Sequence, residues 1–277
     1  MSLEPLTLLE EQPGLPQLDL PRELSRLYSG GLGFDGPRVL ANFVSTIDGV
    51  VAMPELERSN ALVSDESEAD RFVMGLLRAV ADVVVVGSGT LRAAPKGTWR
   101  ADKVFPAAGE AFAELRRRLG KSEHPTVAIV TAGGSFDPTH PVLETGAIVL
   151  TTERAALDLR TRVPGATDVV AVNDGDQVDA AGAIALLRAR GHALVLSEGG
   201  PTLFTSLVAS GLVDELFLTV SPLLAGRAGA RRMSLADGAE LLPGVRVAGD
   251  LLSVRRHGSY LFLRYSLTSR RASTTPS

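Results

Sequence analysis

The apolar positions follow two rhythms that alternate along most of the chain. Near-continuous apolar runs at residues 39–45, 82–87, 127–131, 147–151, 168–172 and 193–197 read as strands. The 82–87 run has the character of a strand buried on both faces. Segments with helical spacing lie between these runs. Residues 64–81 read as one helix, with Ser64 or Asp65 as its cap and Phe72, Leu76, Leu77 and Val80 on one face. Residues 110–119 read as a charged amphipathic helix ending at Gly120, and residues 179–190 as another. A further helix at 201–210 opens on Pro201 and closes at Gly211. After that the rhythm changes. Residues 215–221, 251–256 and 259–267 read as strands without long helices between them, the last two joined by a tight turn at His257-Gly258. The pattern predicts an α/β domain over residues 38–268, with a mostly parallel central sheet flanked by helices and an antiparallel C-terminal hairpin. Residues 1–37 show no long period and read as an N-terminal arm lying on the domain, with a short helix at 21–28 and a loop from Gly30 to Gly36. Residues 269–277 read as a flexible tail.

Composition narrows the chemistry. The 277 residues are 45% hydrophobic and 22% charged, which suits a globular chain and not a disordered one. The net charge of −4 and the short, scattered arginine pairs give no footprint for a nucleic acid. With no cysteine there is no disulfide framework, thiolate zinc site or cysteine nucleophile. No apolar run approaches a membrane span, and the N-terminus lacks the pattern of a signal peptide, so a cytoplasmic protein is expected. His124, His140, His192 and His257 have no metal-ligand spacing, and no metal is expected.

Three turns follow strands and carry candidate chemistry. Ser197-Glu198-Gly199-Gly200-Pro201-Thr202 joins a buried strand to a helix. Its glycines let the backbone approach a ligand and permit angles that β-branched residues resist, and the helix start offers free N–H groups to a pyrophosphate. A plain tight turn explains the same residues about as well. Gly87-Ser88-Gly89-Thr90 follows the 82–87 strand, and two such turns at the carboxyl edge of one sheet point to an extended ligand such as a dinucleotide. Ser45-Thr46-Ile47-Asp48-Gly49 is more readily an ordinary turn. Arg78 and Arg100 flank the second turn and suit a phosphate, although solvated surface arginines are the plainer explanation.

The ordered series of these stretches resembles the reductase domain of the riboflavin-biosynthesis deaminase–reductases, which has a dihydrofolate-reductase-like fold. It comprises Ser45 to Gly49, Leu77-Arg78-Ala79 leading to Gly87-Ser88-Gly89-Thr90, Ser197 to Leu203, and Gly211 to Leu216 running on to Ser221-Pro222-Leu223-Leu224-Ala225-Gly226. The resemblance implies an NADPH-dependent reductase acting on 5-amino-6-(5-phosphoribosylamino)uracil, with hydride delivered to C1 of the opened sugar. It implies cofactor contacts from Gly87, Gly89, Thr90 and Thr131, and a phosphate seat formed by Gly199, Gly200, Pro201, Thr202, Leu203, Phe204 and Thr205. Ser59, Arg78, Arg100 and Glu198 would meet the substrate. Val44 and Asp48 would shape the pocket floor, with Glu198 and Asp48 as the candidate catalytic acids. Arg154, just past the 147–151 strand, is the candidate partner of the cofactor's 2′-phosphate. A homodimer is implied. The chain departs from the family at Ala94, where many members carry an acidic residue, and it lacks the cysteines of the fused deaminase's zinc motif. A dihydrofolate or pterin reductase, and a non-catalytic NADPH-binding regulator, are the alternatives.

Overall fold

The computed structural model describes residues 3–56, 59–226 and 231–271. In chain order, β1 (Thr7–Glu11) and α1 (Arg22–Tyr28) lead to β2 (Arg38–Ser45), β3 (Val50–Ala52), α2 (Ser59–Ser64) and α3 (Glu68–Val80). The middle of the chain contributes β4 (Val83–Gly87), α4 (Ser88–Ala93), α5 (Ala101–Val104), α6 (Gly109–Arg118), β5 (Thr126–Val130), β6 (Ile148–Thr152), α7 (Glu153–Arg162), β7 (Asp168–Asn173) and α8 (Ala180–Ala189). It closes with β8 (Leu194–Ser197), α9 (Pro201–Ala209), β9 (Glu215–Val220), β10 (Met233–Ser234), β11 (Val245–His257) and β12 (Tyr260–Arg271).

Among the described residues ten strands make one sheet in the order β1-β11-β12-β9-β2-β8-β4-β5-β6-β7. The run from β9 to β7 is parallel throughout, and β12, β11 and β1 extend it antiparallel. Helices cover both faces of the parallel part, so its strands are apolar on both sides. Val84, Val86, Leu40 and Leu196 face the core beneath α3 and α6. Val83, Val85, Val39 and Val195 face the core beneath α8 and α9. The buried face of α3 holds Phe72, Leu76, Leu77 and Val80, as the spacing predicts. Mostly parallel core and antiparallel hairpin are thus both present.

Several boundaries differ from the sequence reading. Residues 64–81 are not one helix. Asp65 and Glu66 take positive φ angles of 50° and 51° and break the chain between α2 and α3. Ser67, and not Ser64 or Asp65, caps α3 by accepting from the Asp70 N–H at 3.3 Å. Four consecutive polar residues offered rival caps, and the one followed by the apolar face prevailed. Within residues 3–36, expected as an arm, β1 forms an edge strand on β11, and Leu6, Leu24, Leu27 and Leu32 enter the main core. Most of β1 is exposed, so it carries no alternation to read. Residues 269–271, expected in the tail, continue β12 opposite 245–247; residues 272–277 lie outside the described residues. His257 pairs with Tyr260, so the hairpin turn is Gly258-Ser259, one residue later than expected, with Gly258 at φ 57°. A two-residue hairpin loop needs such a positive φ, which glycine adopts freely.

Candidate functional site

The two glycine turns meet at the carboxyl edge of the parallel strands. β4 and β8 are hydrogen-bonded neighbours, so the turns that follow them are side by side. A Cβ on Gly200 would lie 3.8 Å from Thr90 Oγ1 and near nothing else, and one on Gly87 would meet open space. Side chains there would fill a cradle between the turns. Gly200 has φ −66° and ψ 175°, which any residue adopts, so backbone freedom is not its purpose. The same holds for Gly199, which is absent from the positive-φ residues. At Gly199 the constraint is space, because a Cβ would come within 2.5 Å of Leu203 Cδ2.

α9 begins with no side-chain cap and no acidic residue in its first turn. Its first helical hydrogen bond runs from Phe204 N–H to the Gly200 carbonyl. The N–H groups of Thr202 and Leu203 therefore precede the ladder, at the positive end of the helix dipole. Phe204 and Thr205 do not face the cradle. Phe204 packs edge-on against Phe43, and buried Thr205 donates to the Pro201 carbonyl and accepts from Asp237 N–H. Their positions in the helix turn them toward the core, which the motif alone does not reveal.

Glu198, directly past β8, is bound by the Arg78 guanidinium. Arg78 Nε lies 3.0 and 3.1 Å from its two oxygens, and Nη2 2.6 Å from Oε2. The side chains are 11% and 8% exposed. Arg78 Nη1 also reaches the Arg100 carbonyl. The Arg100 side chain turns instead to Asp102, at 2.9 and 3.0 Å, and is 34% exposed. Of the two arginines expected at a substrate phosphate, Arg78 is already neutralised by an acid and Arg100 is held at the surface.

Val44 packs on a small cluster of Val50, Met53 and Val63. Ser59 Oγ accepts from Met53 N–H at 2.7 Å, tying α2 to the end of β3. Thr131, past β5, accepts from Gly134 N–H at 3.0 Å and shapes the following loop. Asp48 is engaged through both carboxylate oxygens. It accepts hydrogen bonds from the Thr46 hydroxyl at 2.6 Å and from Ala225 and Gly226 N–H at 3.0 and 2.8 Å. The Thr46 bond first, then the two backbone bonds, hold its carboxyl down at about 2. It braces the β2–β3 turn against the 221–226 loop. Arg154 is 86% exposed and pairs only loosely with Asp176, 3.6 Å away.

A groove of about 520 Å³ opens beside α4, lined among others by Leu91, Arg92, Gly133, Gly134, His140 and Arg162. Arg92 crosses it to the Ser135 carbonyl. At its rim the Ala94 carbonyl meets His140 Nε2 at 2.9 Å. Buried Asp70, which no sequence motif singles out, lies against Thr219 near Glu198. Among the described residues no group of His, Cys, Asp or Glu gathers as a metal site, and no helix is long and apolar enough to cross a membrane.

A parallel sheet with paired glycine turns at its carboxyl edge, closed by an antiparallel hairpin, defines a dihydrofolate-reductase-like α/β protein. Solved relatives share this architecture. A pyrimidine reductase-like protein from Corynebacterium diphtheriae superposes with TM-score 0.63 at 20% identity, covering 83% of this chain and 92% of that one. RibD from Acinetobacter baumannii gives 0.62 at 22% identity, covering 84% of this chain and 58% of that longer one. The 2,5-diamino-6-ribosylamino-4(3H)-pyrimidinone 5′-phosphate reductase of Archaeoglobus fulgidus is 26% identical over 212 residues, 76% of this chain and 91% of the relative. The chain belongs to the RibD C-terminal domain family, which matches residues 37–254.

Proposed function

We propose that the protein is the pyrimidine reductase of riboflavin biosynthesis, reducing the ribosylamino group of a pyrimidine ribosyl phosphate to a ribitylamino group with NADPH. It is an oxidoreductase with a small-molecule substrate and a nicotinamide cofactor. The observation that carries this reading is the meeting of the Gly87–Thr90 and Gly199–Thr202 turns beside the Arg78–Glu198 pair.

The open cradle suits a dinucleotide. Thr202 and Leu203 N–H would hold its pyrophosphate, and Thr90 would stand beside the nicotinamide. When bound, the cofactor supplies the hydride. The chain's own work is positioning and charge. Arg78 fixes both Glu198 oxygens, so Glu198 presents a held negative charge to a developing iminium and to sugar hydroxyls. Arg100, the more exposed arginine, takes the substrate phosphate, with Ser59 at the other rim. The groove beside α4 takes the adenosine end. Arg92 and Arg162, which line it, carry the preference for NADPH over NADH in place of the exposed Arg154, which pairs with Asp176. The enzyme works in the cytoplasm as a homodimer, which light scattering after size exclusion checks.

The deciding experiment follows NADPH absorbance with three compounds: 5-amino-6-(5-phosphoribosylamino)uracil, its 2,5-diaminopyrimidinone counterpart, and dihydrofolate. Oxidation with either ribosyl phosphate supports the proposal. Turnover of dihydrofolate alone makes it a pterin reductase, and tight NADPH binding with no turnover makes it a regulator.

A further inference from the structure

We propose that Asp70 is the proton donor of this reductase, supplying the proton that opens the substrate's sugar ring; this rests on the reading of the site as a ribosylamino-pyrimidine reductase. Asp70, in the first turn of α3, meets the Thr219 hydroxyl of β9. Arg78, in the last turn, meets Glu198 beyond β8. β2 runs between β9 and β8, and its Val44 pairs with Thr219. The two acids therefore stand on either side of one strand at the ligand edge of the sheet. Adjacent strands lie about 4.8 Å apart, so the ends of β9 and β8 that meet these two acids are about 10 Å apart across the sheet.

The acids have opposite surroundings. Glu198 has a guanidinium on both oxygens. Asp70 is 5% exposed and has a neutral hydroxyl for a partner. Among the described residues no cation stands within ion-pair distance of it, and Arg71, next to it on α3, acts only at longer range. From β12 the phenol of Tyr260 faces the same space and donates to the Ser64 carbonyl at 3.2 Å, with Asp65 also bearing on that phenol. Burial is the main force on the Asp70 carboxyl; the Thr219 hydrogen bond opposes it and the Glu198 charge reinforces it, so the group titrates at about 6. One acid is thereby tied to a cation while its neighbour can carry a proton, the division of labour that acid catalysis requires.

The chemistry balances. The Asp70 carboxyl gives its proton to the ring oxygen. The bond from that oxygen to C1 breaks, and the lone pair of the exocyclic nitrogen forms a C1=N iminium. Hydride then adds to C1, and the π electrons return to nitrogen. C1 is reduced, the dinucleotide is oxidised, and one proton is consumed, which Asp70 regains from water. The held charge of Glu198 favours the iminium across the floor.

Two kinds of measurement test this. Infrared spectra of the ligand-free protein should show a protonated carboxyl band that Asp70→Asn removes and that fades as pH rises through about 6. No such band at pH of about 5, below the pKa the burial implies, would overturn the proposal. In kinetics, Asp70→Asn should lower kcat about 10²- to 10⁴-fold with unchanged NADPH affinity. It should also abolish the fall of activity at high pH, and Asp70→Glu should restore part of the rate. Wild-type kcat and pH profile in Asp70→Asn would discard the proton donor and leave the reductase standing. Failure of the wild type to reduce either ribosyl phosphate would remove both. If Asp70→Asn does not fold, Thr219→Val keeps the acid and loses the opposing hydrogen bond, and its high-pH limb must move upward; an unmoved limb rejects the proposal.

Discussion

Replacing Gly200 by valine tests the cradle with little risk to the fold. At φ −66° and ψ 175° valine is unstrained, and its Cβ has only Thr90 Oγ1 nearby, at 3.8 Å. The stability change should stay within about 1 kcal/mol, partly offset because a valine restricts the unfolded chain more than glycine does. Its methyl groups, however, enter the space between the two turns. If they deny a phosphate the N–H groups of Thr202 and Leu203, two charge-assisted hydrogen bonds are lost, each worth roughly 1.5–3 kcal/mol. Together that is about 3–6 kcal/mol, a weakening of Kd by ~10²- to 10⁴-fold. Fluorescence titration with NADPH gives the affinity, and thermal melting reports the fold. Gly199→Ala makes the opposite case, since its Cβ would press on Leu203 at 2.5 Å and so lower Tm. A folded Gly200→Val protein with wild-type NADPH affinity would show that the turn is only structural and that the cofactor lies elsewhere.

Arg78→Ala strands the nearly buried Glu198 carboxylate and should cost about 3–5 kcal/mol in urea denaturation; adding Glu198→Gln should recover much of that without restoring activity, and full stability in the single variant would contradict the pairing. Asp48, held at about 2 when folded, contributes stability above its unfolded value of about 3.9 that disappears as pH falls through about 4 toward 2. Asp48→Asn should therefore narrow the gap between neutral and acid stability, and an unchanged acid-unfolding curve would refute the brace. Arg162→Ala should erode the NADPH-over-NADH ratio of kcat/KM while Arg154→Ala leaves it intact; the reverse result would restore Arg154 as the 2′-phosphate partner.

The sequence made some of this plain and concealed the rest for physical reasons. The 82–87 run is a central strand because both of its faces are covered, and unbroken apolar character is what that position demands. The Gly199–Pro201 turn is legible because a strand end, small residues and a helix start fall together. β1 escaped notice because its side chains face water and its pairing depends on β11, about 240 residues away. β3 and β10, of three and two residues, are too short to show a period. Asp48 reads as a turn residue, and only the returning 221–226 loop shows what its carboxylate holds. Asp70 looks like an ordinary acid in the first turn of an amphipathic helix, where a dipole argument would leave it in solvent. Its hydrogen-bond partner Thr219 lies on β9, about 150 residues later in the sequence.

The position of β2 has a consequence for how the molecule is made. β2 is the first strand of the parallel core to leave the ribosome, yet both of its neighbours, β8 and β9, follow roughly 150 residues or more later. β1 waits longer still for β11. A growing chain therefore holds this apolar strand without a partner until roughly 150 further residues have been made, an interval in which nascent chains aggregate. Chains truncated before residue 215 lack β9 and with it one side of the β2 floor. Such fragments should depend on chaperones and should not bind cofactor, and the functional site comes into being as one of the last events of folding.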